Sequence, residues 1–73
     1  MIERVGKFTI ECCSEERLVT VSGPNHSATH DIESLRSRIR FIRGMRKRPK
    51  YGHFYEETLQ AHLRAYELLE GAA

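Results

Sequence analysis

The chain has no tryptophan, two prolines, and two cysteines that stand side by side as Cys12 and Cys13. Neighbouring residues of an extended strand point to opposite faces, so this pair cannot close an unstrained bridge. With no third cysteine to pair with, a disulfide framework is excluded, and a reducing bacterial cytoplasm is the expected setting. No apolar run exceeds two residues, which excludes a membrane-spanning helix and the apolar heart of a signal peptide. No membrane partner is therefore expected. A glycine-rich phosphate loop is also missing. At 73 residues a single hydrophobic core is barely adequate, so self-association, as a dimer first, is the expected supplement.

The most informative absence is of one sign of charge. Between Ser34 and Tyr55 there is no Asp or Glu, yet there are eight basic residues: Arg36, Arg38, Arg40, Arg43, Arg46, Lys47, Arg48 and Lys50. The remainder of the chain carries four basic residues against ten acids, so a formal net charge of +2 conceals +8 in the middle and −6 elsewhere. Such a polarised molecule attracts acidic partners, or its own acidic parts, in a way that a uniformly basic protein does not.

Apolar residues alternate in VGKFTIECC (5–13) and in LVTVS (18–22), and the polar Ser14–Arg17 between them predicts a β-hairpin over about 5–22. Gly23-Pro24-Asn25 ends it. Ile32, Leu35, Ile39 and Ile42 recur at helical spacing, with Thr29 as the expected N-cap and Asp31 and Glu33 in the first turn. Extension beyond Gly44 would bring Arg46 into the apolar stripe, so this helix is predicted over about 29–43 and a basic loop over 45–52. A second helix over about 54–70 gathers Tyr55, Leu59, Leu63, Tyr66 and Leu69 on one face, with Gly71 as its terminator. The whole reads as one small α+β domain, 1–73: an N-terminal β-hairpin followed by two antiparallel helices (ββαα), forming a single helical layer on a small antiparallel sheet.

A metal pattern is present in part. Cys13, His26 and His30 have the spacing of the second half of a two-Cys, two-His zinc finger. The first half fails, because the cysteines are adjacent rather than two to four residues apart, and the histidines precede a helix rather than closing one. The three residues are thus weak candidates. The simpler reading has Cys12 buried, Cys13 half-exposed, and both histidines solvated in a loop. No metal or other cofactor is expected. Nucleophilic catalysis by Cys13 with either histidine lacks an orienting third group and room for a cleft, so no catalytic residue is assigned and no enzyme is expected. His62 sits at the margin of the second helix's apolar face and reads as a packed rim residue.

The basic residues carry the strongest functional signal. Arg36, Arg40 and Arg43 form a stripe beside the apolar one, and Arg46, Lys47, Arg48 and Lys50 form the loop, with Tyr51 adjacent as an aromatic. Solvated arginine stripes and cations at a helix C-terminus are also commonplace without any binding role. Phe41 lies about 140° from the centre of its helix's apolar stripe, at about 100° per residue, and Leu68 is displaced on the second helix beside Ala61 and Ala65. Both suggest a further contact surface.

The stretch RLVTVSGPNHSATHDIESLRSRIRFIRGM, followed by a basic segment and HFY, resembles small bacteriophage head–tail joining proteins of the helix–hairpin–helix kind. The resemblance covers about half the chain, contains no diagnostic motif, and departs from those proteins by starting with the hairpin. It implies an assembly role. Arginine outnumbers lysine nine to three, as in a GC-rich bacterial or phage genome. The expected function is a non-enzymatic bacterial or phage binding protein, an inhibitor or adaptor of a host protein. It presents Arg36, Arg40, Phe41, Arg43, Arg46, Lys47, Arg48, Lys50 and Tyr51 to an acidic macromolecule. The alternatives are direct nucleic-acid binding through the same residues and a structural oligomer for phage assembly.

Overall fold

The computed structural model describes residues 2–24, 26–50 and 52–71, without the side chains of His53 and Phe54. Four antiparallel strands form one open sheet in sequence order, and two helices follow. The strands are β1 (Ile2–Val5), β2 (Phe8–Cys13), β3 (Leu18–Ser22) and β4 (Ser27–His30), and the helices are α1 (Ile32–Arg46) and α2 (Gly52–Gly71). The α+β order and the hairpin-then-helices plan are as the sequence predicts. The strand over 18–22 and the second helix also fall where predicted, within two residues, while the other boundaries differ, each for a local cause.

The predicted first strand is two strands. Gly6 has φ +59°, a left-handed conformation that glycine adopts without steric cost, and Gly6-Lys7 forms a two-residue turn between Val5 and Phe8, which pair directly. The Ser14–Arg17 turn connects β2 and β3 as expected, closing on Arg17 in the left-handed region (φ 55°). A fourth strand occupies the segment read as a loop. Its Thr29 is not a helix cap: the Thr29 hydroxyl meets that of Thr20 at 2.9 Å, and Ser27 meets Ser22 at 3.1 Å. These hydroxyl pairs finish the outer, solvated face of the sheet.

On the inner face, register aligns Glu3, Ile10, Val21 and Ala28 in one row and Cys12, Val19 and His30 in the next. Ile10, Val19 and Val21 are buried there. Strand alternation therefore carries His30 into the core, where the sequence reading had a solvated loop residue.

Asp31 is the N-cap of α1, its carboxylate accepting from the Ser34 N–H at 2.8 Å. This satisfies one of the four N–H groups that an isolated helix start leaves unpaired. Replacing Asp31 with Ala is expected to lower unfolding free energy by about 1 kcal/mol, read as a shifted urea midpoint at unchanged slope.

Gly44 does not stop α1, which runs on to Arg46. The objection from Arg46 is met by the side chain's reach: it stays exposed and its Nη1 bonds Glu56 Oε2 of α2 at 2.9 Å. The basic loop is accordingly short, with residues 47–50 its described part. It is tied back by Arg48 N–H to Met45 O (3.1 Å) and Gly52 N–H to Arg48 O (2.9 Å). A Cβ at Gly52 would stand 2.6 Å from the Arg46 carbonyl oxygen, so close backbone approach requires glycine here.

The Arg46–Glu56 pair at one end and the Arg36–Tyr66 contact at the other show that α1 and α2 run antiparallel. Leu35, Ile39 and Ile42 of α1 and Leu59, Ala61, Ala65 and Leu69 of α2 join the strand residues in one core. The side of α2 that carries Ala61, Ala65 and Leu68 is therefore no separate contact surface. Arg64 and Glu57 share that side, and they bond Glu3 of β1 (2.6 Å) and the Lys7 N–H (2.6 Å), so it faces the sheet. The two alanines are fully buried because a small side chain lets helix and sheet come close, and Leu68 packs at their margin. Helix α2 is thus covered on both sides, by the sheet and by α1, and needs a wider apolar arc than a helix with one partner.

Candidate acidic-partner cleft

The arginine stripe of α1 borders a cleft. Arg36, Ile39, Arg40 and Arg43 of α1 face Leu63 and Tyr66 of α2 around a volume of about 370 Å³. Towards the basic loop a second hollow of about 240 Å³ is lined by Arg43, Arg46, Lys47, Leu59, Gln60 and Leu63. Arg43 and Leu63 belong to both, so the two form one groove along the helix pair. Spacing explains its basic wall: positions 36, 40, 43 and 47 recur on one flank of α1, next to the stripe of Leu35, Ile39 and Ile42 that enters the core.

The groove's cations differ in how they are engaged. Arg36 donates from Nε (3.2 Å) and Nη2 (3.1 Å) to the Tyr66 hydroxyl, and its guanidinium lies 5.7 Å from that ring's centre. The Tyr66 hydrogen bond, with Glu70 and Glu33 nearby, holds Arg36 above its usual range. Arg46 is paired with Glu56. Among the described residues no carboxylate is within ion-pair distance of Arg40, Arg43, Lys47, Arg48 or Lys50. Arg40, Arg43 and Lys47 thus present positive charge along the groove with no carboxylate among the described residues to neutralise it.

The predicted site residues do not all come together. Arg36, Arg40, Arg43, Arg46 and Lys47 line the groove, while Arg48 and Lys50 lie exposed in the loop beyond it. Phe41 is on another side of α1, 53 % exposed, with the Arg38 guanidinium 5.3 Å from its ring centre. Tyr51 lies outside the described residues. Leu59, Gln60, Leu63 and Tyr66 of α2 were not identified as site residues from the sequence, where all but Gln60 read as core positions. No sequence signal separates Leu63 and Tyr66 from the other residues of that stripe; only the structure leaves them half buried.

The weak metal set is dispersed. Cys13 is exposed and on the outer face of β2, His26 is exposed before β4, and His30 points into the core. Among the described residues no group of three or more His, Cys, Asp or Glu side chains is placed to hold a metal ion. A different histidine pair appears instead. The rings of His30 and His62 meet edge to face with centroids 6.0 Å apart, both residues buried. His62 Nδ1–H donates to Thr58 O at 2.7 Å and His30 Nδ1 bonds Ser34 Oγ at 2.9 Å, while His30 Nε2 is buried with no hydrogen-bond partner among the described residues.

Among the described residues no helix is long and apolar enough to cross a membrane. Compared with protein families, with curated proteins and with solved structures, the chain matches none.

Proposed function

We propose that this protein is a non-enzymatic binding module, of bacterial or phage origin, that offers the arginine-walled groove between α1 and α2 to an acidic macromolecule. In this reading it is an inhibitor or adaptor of a host protein. The observation that carries it is the convergence of Arg36, Arg40 and Arg43 on one groove with Ile39, Leu63 and Tyr66, with Arg40 and Arg43 left without counter-charge. Charge matching of this kind accelerates encounter and rejects basic or neutral competitors.

The test is capture from nuclease-treated cell extract with the protein and with an Arg40→Glu/Arg43→Glu variant. Retention of an acidic protein by the first, reduced at least about tenfold in the variant and weakened by salt, is the expected result. Equal retention by both proteins would refute the assignment of the groove.

Self-assembly is a second reading. Towards the start of α1, Glu16, Asp31, Glu33 and Glu70 surround Ile32 and Leu69 in a cleft that Arg17 and Arg36 also line; its excess of acids complements the basic groove of a neighbour. A dimer or longer array built this way would fall apart in high salt, and light scattering at low and high ionic strength measures that directly.

A further inference from the structure

The geometry points to a specific kind of occupant for the basic groove: an amphipathic acidic helix of about three turns, with its apolar stripe on the groove floor and its acids along α1. This rests on the acidic-partner reading and narrows it.

Length comes first. From Arg36 to Lys47, the C-cap of α1, the groove covers eleven residue steps, and at 1.5 Å per step that is about 16 Å, or three helical turns. Next is the wall. Arg36, Arg40, Arg43 and Lys47 recur at intervals of four, three and four, which is the repeat of one helix face. A partner helix lying alongside presents carboxylates at the same repeat, so each cation meets an acid without either backbone bending. Last is the floor. Leu63 and Tyr66 are only half buried, and behind them lie Ile39 and Leu59. An apolar floor beneath a charged wall is the arrangement used when an amphipathic helix lies in a groove, with anchors at i, i+3 or i+4, and i+7.

A nucleic acid makes poorer use of the same surface. Phosphates would satisfy the arginines but leave the apolar floor uncovered, since backbone contacts are polar. Bases would need an open aromatic face to stack on. Tyr66 is held at its hydroxyl by the Arg36 guanidinium, which crowds the approach to the ring from that end, and Phe41 stands outside the groove beside Arg38.

The experiment titrates the intact protein with three probes. One is a synthetic fourteen-residue peptide with Leu on one helical face and Glu flanking it. The second is a scramble of equal composition, and the third is a short DNA duplex. The peptide is expected to bind at least about tenfold more tightly than the scramble. Amide shifts should change at Arg36, Ile39, Arg40, Arg43 and Leu63, and binding should be lost in Arg40→Glu/Arg43→Glu but kept in Phe41→Ser. Far-ultraviolet circular dichroism confirms that both variants fold, and Leu63→Gln, which removes the floor while leaving every charge, should weaken the peptide but not the scramble. Equal binding of peptide and scramble overturns the helix inference. Tighter binding of the duplex, with displacement of the peptide, also overturns it but leaves the acidic-partner reading standing. If neither anion binds in low salt, both fall.

Discussion

Ile42→Ala is expected to cost about 2–5 kcal/mol of folding stability, while Phe41→Ala, one residue away on the same helix, stays within about 0.5 kcal/mol of the parent. Ile42 is fully buried in the core formed by α1, α2 and the sheet, whereas Phe41 is 53 % exposed. Truncating Ile42 removes the transfer free energy of the lost methylenes and leaves a cavity that three packed elements cannot all close upon. Phe41 loses only its contact with the Arg38 guanidinium, an exposed cation–π pair of modest value. For a chain of 73 residues the total stability is on the order of 4–11 kcal/mol, so the Ile42 change removes a large share of it. Urea unfolding followed by circular dichroism reads both changes. Similar midpoints for the two variants would contradict the orientation of α1. Because Phe41 costs the fold so little, a Phe41→Asp protein also isolates association: a change in its mass by light scattering would identify a second contact surface apart from the groove.

That contrast was legible in the sequence, since Ile32, Leu35, Ile39 and Ile42 set the buried face and Phe41 is far from it. The arginine stripe was legible for the same reason, because helical spacing alone places Arg36, Arg40 and Arg43 together. What escaped notice has physical causes. β1 reads poorly because its inward positions are Glu3 and Val5. The charge at Glu3 is acceptable there because β1 is an edge strand and Arg64 reaches over from α2. β4 is Ser-Ala-Thr-His, without a large apolar residue, and its pairing comes from the sheet already formed. Gly44 carries the usual signal of a helix end, but the about 1 kcal/mol that glycine costs inside a helix is offset by another turn and the Arg46–Glu56 contact. Ala61 and Ala65 fall, with Leu68, off the core face that the large apolar residues of α2 mark in the sequence, because alanine adds little to that pattern. The opposite wall of the groove lies on α2, and no local pattern shows which flank of one helix will face the other.

The buried histidine pair is expected to make stability fall in mild acid. Burial depresses His62 below its ordinary value, and the nearby His30, Arg38 and His26 add to this against the opposing pull of the Thr58 carbonyl. His30 is also lowered, first by burial and then by Arg38 and His26, with Asp31 opposing. In the unfolded chain both imidazoles return to about 6.5. A group whose folded value lies below its unfolded value binds more protons when unfolded, so stability increases with pH between the two values. The contribution is therefore complete above about pH 6.5, is lost progressively as pH falls below it, and levels off below the folded values. Each histidine adds a positive slope within that window, bounded above by about 1.4 kcal/mol per pH unit for one proton. Replacing His62 with Leu removes one of the two ionisations and relieves the edge contact with His30. The variant is expected to show a shallower decline between pH 7 and 5, and to gain stability relative to the parent as pH falls. Urea midpoints of both proteins at pH 7.5, 6.5, 5.5 and 5.0 decide the matter. Parallel curves would show that His62 is not the proton acceptor. A parent midpoint that is flat down to pH 5 would show that neither ring is held neutral in the core.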